Sequence, residues 1–296
     1  MDWLSAVERL RSRREAGVLV TLATVRGHAP RAAGAKMVVS AEEIWGSIGG
    51  GNVEAVAVSR ARALLAEFAT EPTTFTANLS DKAPVEHGVQ CCGGEVTVLL
   101  DPLLVLPAVA IFGVGHVGLE LARILARHEL DLHLVDSRPQ QLSDAVLTPL
   151  ADATARIHTH HVPVLPELVL GELPAGTHVL VMTHDHAEDA ALIDAALRTD
   201  HLGSIGLIGS SAKWTRFRRK LLDDGHDPDV LERVTTPIGL PELTGKDPAT
   251  IAVGVATALL LAFEREAAAG RGQPTGSIEQ SRAVAEAEPE PIDERR

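Results

Sequence analysis

The two cysteines of this 296-residue chain are neighbours, in Gln90-Cys91-Cys92-Gly93-Gly94. Adjacent residues cannot staple distant segments, and the flanking glycines leave the backbone open to close approach. A soft, ionisable sulfur reached in this way suits a metal cofactor or a redox partner. The plainer alternative is a small-residue turn, buried or closed as a vicinal disulfide. Cys92, with Cys91 beside it, is the leading candidate for cofactor binding.

A second group of residues has the spacing of a nucleotide-binding turn. Gly113-Val114-Gly115-His116-Val117-Gly118 follows the apolar run Val109-Ala110-Ile111-Phe112, and Asp136 ends the next apolar run 18 residues beyond Gly118. In such a turn Gly113 permits the tight bend, Gly115 lets backbone approach a pyrophosphate, Gly118 allows close strand–helix packing, and Asp136 hydrogen-bonds ribose hydroxyls. Strand, helix and acid together predict a Rossmann fold; use of a dinucleotide is a separate question, because such folds serve other ligands. Gly49-Gly50-Gly51-Asn52 is another glycine-rich lead-in to a helix. It reads either as an anion cradle for a phosphate or pterin-like group, with Arg31 and Lys36 close by, or as a flexible turn.

Thr183-His184-Asp185-His186 closes an apolar run at the carboxyl end of a predicted strand, where open α/β sheets place their ligands. His184 and His186 suit metal ligation or general acid–base work, and His158, His160 and His161 form another cluster. Among thirteen histidines chance clustering is expected, so a non-metal role is the default for each group. The chain has no HExxH, CxxC or GxSxG motif.

These residues need elements to hold them. Residues 2–16 carry apolar side chains at helical spacing (Trp3, Leu4, Val7, Leu10) and predict a short amphipathic helix. Residues 18–25 and 35–40 read as strands, and Asn52 is a suitable N-cap for a helix over 53–68. Residues 73–78 and 95–100 complete a compact α+β unit, with the cysteine pair on the loop before the last strand. Beyond a linker at 102–106 the texture changes. Strands at 109–112, 132–136, 179–182 and 205–208 alternate with helices at 117–128, 187–198 and 212–222, which predicts a doubly wound parallel sheet. Asp247-Pro248 opens a last long helix. The expected organisation is therefore α/β: an α+β domain over 1–101, a Rossmann-like domain over 107–265, and a tail over 266–296. The tail has too few apolar side chains to offset the entropy of ordering.

Composition excludes some functions. A net charge of −13 argues against a general nucleic-acid binder. The one basic cluster, Arg216-Phe217-Arg218-Arg219-Lys220, reads as a solvated helix face, with anion binding or partner docking as the alternative. Aromatics make up 3% with no tyrosine, so Ala, Val, Leu and Ile must build the core, as a buried parallel sheet allows. Two cysteines do not make a secreted disulfide framework, the N-terminus has no signal-peptide pattern, and the apolar run at 251–263 is short for a membrane span. The expectation is a cytoplasmic protein away from membranes.

Taken together the landmarks resemble the XdhC/CoxI family, the xanthine dehydrogenase accessory proteins that handle molybdenum cofactor. The resemblance runs through nearly all of residues 1–265. It rests on Gly34-Ala35-Lys36-Met37, Gly46-Ser47-Ile48-Gly49-Gly50-Gly51-Asn52-Val53-Glu54, Cys92-Gly93-Gly94 and the Gly113 turn. Further motifs are Met182-Thr183-His184-Asp185-His186, Ile205-Gly206-Leu207-Ile208-Gly209-Ser210, Thr236-Pro237-Ile238-Gly239-Leu240 and Asp247-Pro248-Ala249-Thr250-Ile251-Ala252, in the family's order. The resemblance implies binding of molybdenum cofactor (molybdopterin), replacement of an oxo by a sulfido ligand with a cysteine desulfurase, and delivery to an apo xanthine dehydrogenase-type molybdenum hydroxylase. It also implies a homodimer, and a carrier rather than a catalyst. Carried over, Cys92 is the cysteine expected to matter for the cofactor and the candidate molybdenum ligand; Cys91 is an extra one. The competing class is an NAD(P)-dependent Rossmann oxidoreductase acting on a small molecule, using Gly113, Gly115 and Asp136 for the nucleotide and His184 for proton transfer. A non-catalytic nucleotide sensor or scaffold is a third reading.

Overall fold

The computed structural model describes residues 2–79 and 94–271, the last four by their backbone alone. The chain divides into two units. The first is Glu15–Leu104 with the opening residues up to Leu10, and the second is Val105–Arg265 with the segment Arg11–Arg14.

In the first unit, helix α1 (Trp3–Arg13) precedes strands β1 (Gly17–Arg26), β2 (Lys36–Val39) and β3 (Ile44–Gly46). Helix α2 (Gly51–Ala66) follows, then β4 (Thr73–Asn78) and β5 (Glu95–Leu103). The described strands form an antiparallel sheet of order β3-β2-β1-β5-β4. The period-2 alternation of β1 explains its two-sided burial. Val18, Val20 and Leu22 face the core shared with Val53, Ala57 and Ala61 of α2, while Leu19 packs with Ala6 and Leu10 of α1. One expectation needs correcting: Asn52 does not cap α2. The helix begins one residue earlier, with Gly50 at the cap position, because three successive glycines at positive φ bring the chain in along a path closed to other residues.

The second unit opens with β6 (Ala108–Phe112), α3 (His116–Leu125), β7 (Asp131–Asp136), α4 (Asp144–Leu147) and β8 (Arg156–His161). It continues with β9 (His178–Val181), α5 (His186–Leu197), β10 (Ile205–Leu207), α6 (Ser211–Asp223), α7 (Pro228–Leu231), β11 (Val234–Thr235) and α8 (Pro248–Arg271). The sheet order is β11-β10-β9-β6-β7-β8 with every neighbouring pair parallel, the doubly wound Rossmann arrangement that the strand–helix alternation predicts. Every residue of β6 and β7 is buried, as expected for strands covered on both faces. On one face Ile111 and Leu134 pack with Leu121 and Leu125 of α3 and with Ala252, Val255 and Leu259 of α8. On the other, Phe112 and Val181 pack with Leu192 and Ile193 of α5, Leu221 of α6 and Leu231 of α7.

The winding reverses between β6 and β9, so their carboxyl ends form the switch point at which such sheets bind ligands. The last helix is longer than the apolar run at 251–263 suggested. It spans 24 residues, and the stretch Pro248–Ala267 is long and apolar enough to cross a membrane, although its Ala252, Val255 and Ala256 are spent on the Rossmann core. The remainder of the tail, 272–296, lies outside the described residues.

Candidate functional site

The glycine turn between β6 and α3 has the steric logic that its spacing implies. Gly113 has φ 101°, and a Cβ there would stand 2.5 Å from the Met182 carbonyl oxygen at the end of β9. A Cβ at Gly118 would collide with the Gly113 carbonyl oxygen, so strand and helix are held at backbone contact. Gly115 differs: a Cβ there would meet nothing within 4 Å, and its φ of −78° is ordinary. The space beside Gly115 belongs to whatever the turn faces.

That space is a cleft of about 390 Å³ at the switch point, lined among others by Gly115, His116, Arg138, Gln141, Thr183 and His184. Asp136, 3% exposed and bonded to Arg138 of the cleft wall, uses both carboxylate oxygens within the protein. Oδ2 accepts Val114 N–H at 2.8 Å and Arg138 Nη2 at 2.9 Å, and Oδ1 accepts the Arg138 backbone N–H and Nε, each at 2.9 Å. Burial opposes ionisation of Asp136, but the hydrogen bonds from Arg138 and Val114 outweigh it and hold the carboxyl below the usual carboxylate range. The expected ribose contact therefore finds an acid already engaged, and Arg138, which the sequence reading passed over, faces the cleft in its place. Glu188 stands near this pair; burial and the Asp136 charge push its carboxyl up, against the pull of His184.

Thr183 is fixed from behind. Its N–H and hydroxyl reach Asp189 Oδ1 at 3.1 and 2.8 Å, and Lys213 Nζ bonds Asp189 Oδ2 at 2.5 Å and the Ile208 carbonyl at 2.8 Å. The pair of fully buried Asp189 with the largely covered Lys213 thus ties the ends of β9 and β10 together. The only sequence signal for it was the placement of Asp189 and Lys213 early in their helices. His184 lies on the rim, whereas exposed His186 approaches Asp189 at 4.0 Å. The second histidine cluster is elsewhere: His158, His160 and His161 all lie on β8, where the first two rings stack on His133 of β7. Among the described residues no group of three His, Cys, Asp or Glu side chains is arranged to hold a metal ion.

In the first unit the loop before α2 is held by Glu54. Its Oε2 accepts Ser47 Oγ at 2.6 Å and the Ile48 and Gly50 N–H groups at 3.0 Å each. Burial works against the charge of Glu54, and these bonds more than compensate, lowering its pKa. The cradle expected at Gly49, Gly50, Gly51 and Asn52 therefore already holds an internal carboxylate. Arg31 lies alongside, with Cγ 3.6 Å from where a Gly49 Cβ would be, and Lys36 Nζ donates to Thr21 Oγ1 at 3.0 Å.

Cys91 and Cys92 lie outside the described residues. The positions that bracket them, Leu79 and Gly94, are joined by Leu79 N–H to the Gly94 carbonyl at 2.7 Å. Gly94 also sits tightly on the turn after β1, where a Cβ would strike the His28 carbonyl. The sequence-predicted site residues thus fall into two described groups: Gly49–Asn52 in the first unit, and, in the second, Gly115, Gly118 and His184 lining one cleft with Gly113 and Asp136 bonded or packed behind it.

A parallel sheet of this order, a glycine turn packed by contact, and a cleft at the switch point define a Rossmann-type domain that follows an antiparallel α+β unit in the chain. Residues 109–259, half of the chain, match the family described as the XdhC Rossmann domain, and residues 10–76 match the XdhC and CoxI family. The chain belongs to the XdhC and CoxI family. It is also 24% identical over 235 residues to the uncharacterized protein YqeB of Escherichia coli K12, a match covering 79% of this chain and 41% of that protein. The chain thus spans about two fifths of the length of that relative. A solved structure described as a xanthine dehydrogenase from Bacillus halodurans is 18% identical, with a TM-score of 0.45, covering 95% of this chain and 99% of that one.

Proposed function

We propose that this protein is a maturation factor for a xanthine dehydrogenase-type molybdenum hydroxylase. It takes molybdenum cofactor as cargo, presents it for replacement of an oxo by a sulfido ligand with a cysteine desulfurase, and passes it to the apo-enzyme. The observation that carries this reading is membership of the XdhC and CoxI family, matched separately in both units. Cys92 supplies the thiolate, a soft donor suited to molybdenum or to sulfur in transit. At the Gly49 loop, Glu54 occupies the Ile48 and Gly50 amides, so a cargo phosphate there meets the first-turn amides of α2 and Arg31. The negative charge is compatible with protein partners and a small cargo. The protein acts as a cytoplasmic homodimer in this scheme.

The test is reconstitution. Cofactor-loaded protein is mixed with apo-enzyme, with and without a cysteine desulfurase and cysteine. Activity that appears only when both protein and desulfurase are present supports the reading. Equal activation by free cofactor and desulfurase, without this protein, contradicts it.

A further inference from the structure

We propose that the cleft over the Gly113–Gly118 turn is a nucleotide site that prefers a ribose bearing a phosphomonoester, as in NADP, over one with a free diol, as in NAD. Arg138 is the residue that reads the extra phosphate. The inference concerns the second unit alone and does not depend on the cofactor-carrier reading.

Three observations carry it. The first is the space itself: about 390 Å³ at the switch point, with nothing near a Cβ placed on Gly115. The second is the state of Asp136. In an NAD site the acid at this position accepts the ribose hydroxyls. Here it is almost fully buried, and four N–H donors from Val114 and Arg138 fill both of its oxygens. A free diol would have to displace one of these charge-assisted bonds and would gain a neutral one in exchange, a losing trade.

The third is the state of Arg138. Of the five N–H groups in its fork, Nε and one on Nη2 go to Asp136, leaving three. Its side chain is 33% exposed and lines the cleft. Asp136 acts as a buried backstop that orients the guanidinium, and the remaining donors suit a phosphate placed two-pronged against them. Glu188, the nearby acid, opposes an anion, and the Arg138 guanidinium stands against it. The start of α3 supplies the pyrophosphate end. Its cap residue is Gly115, and no side chain among the described residues caps it. Helices α5 and α6, by contrast, are capped by their own Asp185 and Ser210.

The experiment is titration of the full-length protein with NADPH and NADH by fluorescence, and with adenosine 2′-monophosphate and 5′-monophosphate by calorimetry. Parent protein is expected to bind NADPH roughly ten- to a hundredfold more tightly than NADH, the value of one charged hydrogen-bond pair. The two adenosine phosphates should follow the same order. Arg138→Gln should remove the preference. Gly115→Ala, which fits the backbone without a clash, should weaken both ligands while leaving Tm unchanged. Equal affinity for NADPH and NADH, absence of binding by either, or a preference that survives Arg138→Gln would overturn the inference. If Arg138→Gln does not fold, the ratio in the parent and the response of Gly115→Ala still decide.

Discussion

At Gly118 the missing side chain is a packing requirement, while at Gly115 it keeps a space open, although the two glycines belong to one six-residue motif. Gly118→Ala would press its methyl into the Gly113 carbonyl, with the Ile111 side chain 3.3 Å away on another side. The strand–helix contact must then open. The expected cost is about 2–4 kcal/mol of unfolding free energy, read as a lower midpoint in urea denaturation. The turn and its glycines were legible because glycine spacing between a strand and a helix reports backbone geometry directly. The engagement of Asp136 was not. Which donor fills a carboxylate depends on rotamers and on the path of the chain after β7, and nothing in Asp136-Ser137-Arg138 as a string specifies that the arginine folds back.

Among elements, the loop between β3 and α2 depends on one helical side chain. Glu54 collects Ser47 Oγ and two loop amides, so Glu54→Ala leaves those donors to water and keeps, among the described residues, only the Gly49 N–H to Ser47 Oγ bond on the glycines. The expected outcome is a loss of about 1–3 kcal/mol and faster hydrogen exchange at Ile48 and Gly50, with α2 itself kept. The glycines left an anion cradle and a flexible turn both open; that the protein supplies its own carboxylate there was not legible in them. Strand prediction succeeded where burial makes residues apolar, as in β6 and β7, and failed at β8. That strand, Arg-Ile-His-Thr-His-His, lies at the sheet edge and has the composition of a loop. The last helix was located correctly at its start, but its end was misjudged, because alanine-rich sequence continues a helix beyond its apolar core.

For the whole molecule, pH is the readiest control of stability. His133 is buried between His158 and His160, and its Nε2 has no partner among the described residues. Burial first, then the two neighbouring histidines, pushes its pKa down to about 4, with Asp131 pulling the other way and Arg14 adding to the depression. His160 is lowered too, burial again leading. The unfolded chain takes up protons near pH 6.5 and the folded one does not, so stability is complete above about 6.5 and falls as pH drops toward 4. The loss expected across that window is on the order of 3 kcal/mol, roughly 2 of it above pH 5, and His133→Phe should flatten it. Urea unfolding at pH 7 and pH 5 checks this, and equal stabilities would remove the argument. Doubly wound architecture and an α+β first unit were legible at this scale because alternation and glycine punctuation are global patterns. The most direct measurement of the cargo role is anaerobic binding of molybdenum cofactor to full-length protein beside its Cys92→Ser variant. Saturable binding by the parent that is lost in the variant is the expected result. Undiminished binding by Cys92→Ser would contradict the thiolate's role, and no binding by folded parent would contradict the carrier itself.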